Sequence, residues 1–498
     1  MPRVSQTPEQ RFSRMDLVTA IGLMALTIVA FWRTTHLYFL SDDFVLLKYA
    51  RSLHGAFWPL FTAGGGDGFF RPIGYISLVF TSAWAGANPV LWHSAALALH
   101  ITNTVLVYML AAMLGRSRLA AIFAAVLFAI HGTRPEAAVW IAGRFDLLST
   151  FFVLCGLLLF IRSQNELPSV GYVYGFASLA CMILAILTKE SAYVFPFLLV
   201  LLLVSDGHWS WRRLTGLISF HLVAAALFAY RWILFGGIGG YRDVQTGEPQ
   251  ALTLGVVHTI KALVLRTWAV LLFPINWSRE PNKVLAVLVV AYVISVVCLA
   301  VVRMDRAELL FALGFVLVSI LPPLHLLLIG SDLGKSRLLY LPSVGFCLML
   351  SLAIDGLLGR VRYVIPALIL AFHFAALQHN LNSWEYASEK AKAVSAAAGK
   401  CAGPGTQRIV VSGLPGVLQG VPFFVNGFRE AVELQQRSPG IPIVEAIRGS
   451  PSDWRAGSCV LVWDEAKDKL SSDKAGVYMG LRPAEIDGRQ TLRAKTRK

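Results

Sequence analysis

The sequence predicts an all-α polytopic membrane protein, with about eleven transmembrane helices plus juxtamembrane helices, followed by a small C-terminal α/β soluble domain. Three observations predict it. The 498 residues are 56% hydrophobic and only 15% charged, with a mean hydropathy of +0.62. Many segments reach the roughly 20 apolar residues that a hydrocarbon core about 30 Å thick requires. Beyond about residue 380 the apolar density falls and short strand-like runs begin. The formal net charge of +15 fits basic cytoplasmic loops beside anionic lipid. No basic stretch is interleaved with base-stacking aromatics, so nucleic acid is excluded as a partner.

The elements follow in order. Met15 to Trp32 is too long, and wrongly flanked, for a cleaved signal peptide, so it reads as an anchor. Arg3, Arg11 and Arg14 before it place the N-terminus in the cytoplasm and Asp42 and Asp43 outside. An amphipathic surface helix is expected from Asp42 to about Trp58. Gly64 to Gly68 reads as a mobile loop, and Arg71-Pro72 opens a segment too short to span comfortably. Spans are expected at about 89–114, 118–132, 144–161, 170–188, 190–205 and 214–235, and again at about 283–302, 308–329, 338–357 and 361–378. The segment at about 252–274 keeps His258, Lys261 and Arg266 on one stripe and reads as re-entrant or surface-lying. Counting it as a span would move Arg303, Arg306, Arg360 and Arg362 outside, against the positive-inside bias.

Residues 1–380 therefore form the membrane domain, 381–482 a small extracytoplasmic α/β domain and 483–498 a basic disordered tail. Strands are expected at Gln407–Val411, Ile441–Val444 and Cys459–Trp463, with a helix from about Gly427 to Arg437. Cys155, Cys181, Cys298 and Cys347 lie in apolar spans and read as small hydrophobes, and nothing spaces like a zinc site. Cys401 and Cys459 are the two cysteines of the C-terminal domain, where an oxidising compartment would permit a bridge.

The polar residues that stand out lie at span ends. Ser41-Asp42-Asp43 follows the first span. It reads either as a capped helix start with carboxylates on the positive dipole end, or as a carboxylate that takes a proton or holds a metal. His131 to Asp146 contains His131, Glu136, Trp140, Arg144 and Asp146. A helix starting near Pro135 would put Glu136, Trp140 and Arg144 on one face, and Thr133-x-x-Glu136 matches a capping box. Lys189-Glu190 sits at an outer turn, as an ion pair or a site. Lys335 and Arg337 precede Leu338 to Pro342, where snorkelling competes with a binding role. Gly236 to Arg242 is an outer loop and weak as a phosphate cradle, since no strand precedes it.

These blocks also carry a resemblance. Ser41-Asp42-Asp43, His131 to Leu148, Lys189-Glu190, Gly236 to Tyr241 and Arg337 to Phe346 resemble the GT-C superfamily of polyprenyl-phosphate-dependent glycosyltransferases. More closely, they are similar to bacterial relatives of the protein O-mannosyltransferase and TMTC-type membrane domains. The second block is set against the pattern His-Pro-x-His-x-Glu-Ala-Val-x-Trp-Ile-x-Gly-Arg-x-Asp-Leu-Leu. Gly132 stands where the pattern has Pro and Arg134 where it has the second His, which removes the support for a metal on that pair. No tetratricopeptide repeats follow the membrane domain.

The resemblance implies an integral-membrane glycosyltransferase of GT-C type that moves a hexose or pentose, with inversion, from a polyprenyl phosphate. The acceptor is a protein, lipid or glycan on the outer face of a bacterial inner membrane. It implies Asp42 as base, with Asp43 and Glu136 orienting it or binding a divalent metal ion. Arg337, Lys189 and Arg144 would take the departing phosphate, supported by His131, Asp146, Glu190 and Tyr241. The partners are the lipid-linked donor, the acceptor and the bilayer; the cofactor stays open between none and a metal ion. A transporter or flippase of lipid-linked saccharides is the alternative. It would require inverted repeats and charges near the bilayer midplane, and the sequence shows neither.

Overall fold

A computed structural model describes residues 13–63, 68–205, 211–242, 249–250, 255–302, 304–401, 406–435, 443–447, 458–465 and 469–472. Two compact units divide the chain. Met1–Leu37, Tyr49–Glu385 and Gln419–Val421 form the first, and Tyr38–Lys48, Tyr386–Leu418 and Pro422–Lys498 the second. The loop expected at Gly64 to Asp67 and the tail expected at 483–498 lie outside the described residues.

The first unit is helical, as expected of a multi-pass membrane protein. Among the described residues, seven helices are long and apolar enough to cross a membrane: Arg14–His36, Pro89–Met113, Ile141–Asn165, Pro168–Thr188, Arg213–Phe235, Lys283–Ala300 and Val361–Cys401. The segments expected at 118–132, 190–205, 308–329 and 338–357 are shorter helices, Arg118–Ile130, Glu190–Ser205, Arg306–Ile320 and Pro342–Asp355. Their starts are written in the sequence. Ser13 and Asp16 form a capping box, and Asn88, Ser117, Asn282 and Asp305 each accept a backbone N–H of the first turn. Ile141–Asn165 is 72% buried and forms the centre of the packing, whereas Arg213–Phe235 and Lys283–Ala300 are 22% buried and present apolar faces suited to lipid.

Several of the segments expected on one side of the membrane meet at one end of this unit. Arg118 lies 3.7 Å from Asp16, Arg116 pairs with Glu308 and, at 3.7 Å, with Asp355, and Arg362 also reaches Asp355 at 3.7 Å. From Arg118 the helix runs to Ile130, so His131 to Glu136 emerge at the other end. The 252–274 segment is helical in pieces, Val256–Ile260 and Thr267–Leu272, joined by a π-helical turn at Lys261–Arg266.

Four expectations are corrected here. The helix from Asp42 stops at Ser52 rather than near Trp58, because His54 and Gly55 take left-handed backbone angles of +44° and +83°. The helix expected to carry Glu136, Trp140 and Arg144 on one face is broken. Arg134–Ala138 is a five-residue turn, and a new helix starts at Arg144. Gly143 makes the break possible, since a Cβ there would lie 2.4 Å from the Ala137 carbonyl oxygen. Thr133 makes no side-chain cap, its hydroxyl meeting His131 Nδ1 at 2.9 Å instead. Finally, the helix from Val361 continues to Cys401, well past the drop in hydropathy.

The second unit contains a four-stranded sheet in the order Ile443–Ile447, Arg408–Ser412, Ser458–Asp464, Lys469–Ser472. The first three strands are parallel, with Ile409 opposite both Val444 and Cys459, and the last is antiparallel. The helix Phe428–Gln435 connects the first parallel pair as a βαβ crossover. A disulfide joins Cys401 to Cys459, with Cα atoms 5.9 Å apart.

Candidate active site

Glu136 is the anchor of the polar end of the first unit. It is 4% exposed, and both carboxylate oxygens are filled by one segment of chain. Oε1 accepts from the Lys335 backbone N–H at 3.0 Å and from Arg337 Nη1 at 3.1 Å. Oε2 accepts from the Arg337 backbone N–H at 2.9 Å and Ser336 Oγ at 3.1 Å. These are the orphan donors of the short 3₁₀ turn Ser336–Leu339, and Lys335 enters it with a left-handed φ of +72°. The Thr133-x-x-Glu136 pattern thus caps a turn far away in sequence instead of its own helix. So saturated, Glu136 does not fit a metal ligand, and among the described residues no group of three or more His, Cys, Asp and Glu could hold a metal ion.

Arg337 therefore projects from a fixed turn. Its guanidinium lies 4.3 Å from the Trp140 ring centre, with Asp146 Oδ2 4.0 Å from Nε, too far for a hydrogen bond. Burial works against its charge, but Glu136 and Asp146 outweigh that and hold its pKa above the ordinary arginine value. Tyr241 also lies within electrostatic reach of it. That tyrosine packs edge-on against Phe69 at 5.0 Å, beside a backbone bond from Gly240 N–H to the Gly68 carbonyl.

Lys189 donates to Asp146 Oδ1 at 2.5 Å, both groups being more than nine-tenths buried. Burial pulls its pKa down, with Asp146 pushing back. The next residue, Glu190, takes a two-pronged bond from Arg71, at 2.9 and 2.6 Å. Arg71 also lies over the Phe69 ring at 4.0 Å, and Arg231 lies within electrostatic reach of Glu190. Arg71, Lys189, Arg231 and Arg337 thus face Glu136, Asp146 and Glu190, leaving an excess of positive charge that a phosphate would balance.

Arg71 and Arg231 were not singled out from the sequence as site residues. The available signals were an arginine directly before the proline of a short apolar segment, and an arginine inside an apolar span. Arg144, expected at the phosphate, makes bonds between helices. Its Nη1 donates to Thr81 at 2.6 Å and its Nη2 to the Trp92 carbonyl at 3.1 Å, fixing helix packing. His131 is fully buried with both ring nitrogens engaged, by Thr133 Oγ1 and by the Leu271 carbonyl, each at 2.9 Å.

Asp42 and Asp43 belong to the second unit. Asp42 is partly exposed, and its Oδ1 accepts from Asn426 Nδ2 at 2.7 Å. Asp43 is buried, and its Oδ2 accepts from the Leu40 backbone N–H at 3.0 Å, closing the turn at the helix start.

Fold and cluster together define a multi-pass membrane protein with a buried cation-rich polar site at one helix end. Among known proteins the chain is similar to TMTC-type protein O-mannosyl-transferases. It is 28% identical to Tmtc1 of Drosophila melanogaster over 36% of this chain and 22% of the relative. It is 25% identical to human TMTC4 over 54% of this chain and 43% of the relative, and 24% identical to human TMTC1 over 56% and 38%. The chain thus spans less than half the length of these curated relatives. The resemblance to TMTC-type membrane domains read from the sequence blocks is borne out by these relatives. No family model matches the chain. A crystal structure of ArnT from Cupriavidus metallidurans bound to undecaprenyl phosphate aligns over 87% of this chain and 90% of that one, at 12% identity and a TM-score of 0.46, a likeness too low to argue from.

Proposed function

We propose that the protein is a glycosyltransferase that moves a sugar from a polyprenyl-phosphate donor to an acceptor hydroxyl or amine on the outer face of a bacterial inner membrane. The observation that supports it most is the cluster of Arg71, Lys189, Arg231 and Arg337, four cations set against the three carboxylates Glu136, Asp146 and Glu190, in which Lys189 and Arg337 are each held by a carboxylate. A guanidinium can hold two phosphate oxygens in a fork and an ammonium a third, in a site where water does not screen them. The TMTC-type relatives support the same chemistry. The N-terminus would be cytoplasmic and the C-terminal unit extracytoplasmic, following the basic loops.

The proposed reaction is a single displacement. The acceptor oxygen or nitrogen attacks the anomeric carbon, and the bond from that carbon to the phosphate oxygen breaks. Its electron pair stays on the phosphate, where Arg337 and Lys189 stabilise the growing charge. The proton of the acceptor passes to Asp42, an assignment that rests on the resemblance. The test uses the full chain in nanodiscs. Undecaprenyl-phosphate mannose, glucose and galactose are offered with membranes of a deletion strain as the acceptor source. Transfer from one donor, abolished in Asp42→Asn, is the expected result. No transfer from any of them, or unaltered transfer by Asp42→Asn, contradicts the proposal.

A further inference from the structure

We infer that Asn426 is a positioning residue for the Asp42 carboxylate, so that the C-terminal unit fixes the base; this rests on the reading of Asp42 given above. Asn426 Nδ2 donates to Asp42 Oδ1 at 2.7 Å. Its amide oxygen turned that way would set two acceptors face to face, so only the NH2 orientation makes a bond. Asp42 Oδ2 has no hydrogen-bond partner among the described residues. One oxygen is therefore held while the other is left to receive a proton.

The loop that carries Asn426 grips the residue before Asp42 as well. Ser41 is fully buried and has a left-handed φ of +46°, which a residue with a side chain adopts only when its surroundings impose it. Here Ser41 N–H donates to the Phe423 carbonyl at 2.9 Å, and Asn426 N–H meets Ser41 Oγ at 3.4 Å. Gly427, with φ +79°, lies so close that a Cβ would sit 2.3 Å from the Ser41 carbonyl oxygen. Phe44 and Phe424 stack at 6.0 Å, and Lys48 pairs with Glu433 at 2.7 Å, tying both ends of the loop to the same helix. A helix start alone would not require the bond to Asp42. Asp43 already takes the Leu40 N–H, and Phe44 N–H already reaches the Ser41 carbonyl at 3.3 Å.

The sequence separates these residues by most of the chain, and without the fold Asn426 is one polar residue in a loop. In the fold it does for the carboxylate what an orienting partner does for a catalytic base: it selects the oxygen and the angle of approach. A group so placed should act on the chemical step and leave donor binding unchanged.

The test compares Asn426→Ala, Asn426→Asp and Asp42→Asn, alone and combined, in the full chain in nanodiscs, with the mannose, glucose or galactose donor that the wild type uses. Asn426→Ala is expected to lower kcat about 10- to 100-fold, as for a misplaced reacting group, with donor KM unchanged. Asn426→Asp, equal in size but repelling the carboxylate, should fall at least as far, with a melting temperature like that of the Ala variant. Adding Asn426→Ala to Asp42→Asn should cost nothing more, since the residue acts through Asp42. Loss in Asp42→Asn with wild-type kcat in both Asn426 variants overturns the inference alone. Full activity of Asp42→Asn removes the base and the inference together. A space-filling role predicts that Asn426→Asp outperforms Asn426→Ala, and that result also overturns it.

Discussion

Arg337 and Arg134 are both arginines withdrawn from water in the same unit, and they are held in opposite ways. Arg337 keeps 18% of its side chain exposed and lies between two carboxylates. Arg134 is fully buried, 4.5 Å from the Phe128 ring centre and 4.7 Å from that of Tyr340. It donates to Ser343 at 2.5 Å, and among the described residues its Nε and Nη1 have no hydrogen-bond partner. Burial pulls its pKa down to about 10, whereas that of Arg337 is raised. Arg337, and not Arg134, is therefore placed to receive an anion. A cation buffered by carboxylates can exchange one of them for phosphate at little cost, and part of it is open to an arriving ligand. A cation enclosed by rings has no path to a ligand and serves packing.

The largest effect is expected at the Lys189–Asp146 pair, because removing one partner leaves a buried charge uncompensated. Asp146→Asn should destabilise the protein by about 3–5 kcal/mol, read as a lower melting temperature in detergent, and the double variant Lys189→Met/Asp146→Asn should recover much of it. Next is Arg337→Ala, which should lower kcat/KM for the lipid donor by about 2–4 kcal/mol of transition-state stabilisation. Arg144→Met should cost about 1–3 kcal/mol of stability, because the Thr81 hydroxyl and the Trp92 carbonyl lose a buried partner. Its donor KM should stay at the wild-type value; a raised KM would return Arg144 to the site. The smallest effect is expected from Arg134→Met, which replaces an enclosed charge by an apolar chain of similar length. Its melting temperature should shift by no more than about 1 kcal/mol equivalent in either direction, with donor binding intact.

Much of the membrane unit was legible in the sequence because its signals are local. Hydropathy marks the long helices, and caps such as Ser13, Asn88 and Asn282 mark their starts. The site was legible only as a set of residue types. Lys189, Asp146, Glu136 and Arg337 were picked out, but their pairing depends on chain approaches between residues about 40 to 200 positions apart. Glu136 misled because its motif is satisfied by Lys335, Ser336 and Arg337, not by Thr133. The bond from Arg144 to Thr81 was not legible, because an arginine in a motif reads the same whether it faces a ligand or a neighbouring helix. In the second unit three strands were legible from β-branched runs, whereas the antiparallel strand Lys469–Ser472 has no apolar alternation to announce it.

The most direct test of the account is the binding of undecaprenyl phosphate, without any sugar, to the wild type, Arg337→Lys, Arg337→Ala and Arg134→Met, measured by native mass spectrometry from nanodiscs. The account predicts tight binding by the wild type and by Arg134→Met, clear weakening in Arg337→Lys because one mobile ammonium replaces a two-pronged fork, and the weakest binding in Arg337→Ala. Equal binding by the wild type and both Arg337 variants would contradict it, and would make Arg337 a snorkelling residue at the head-group boundary.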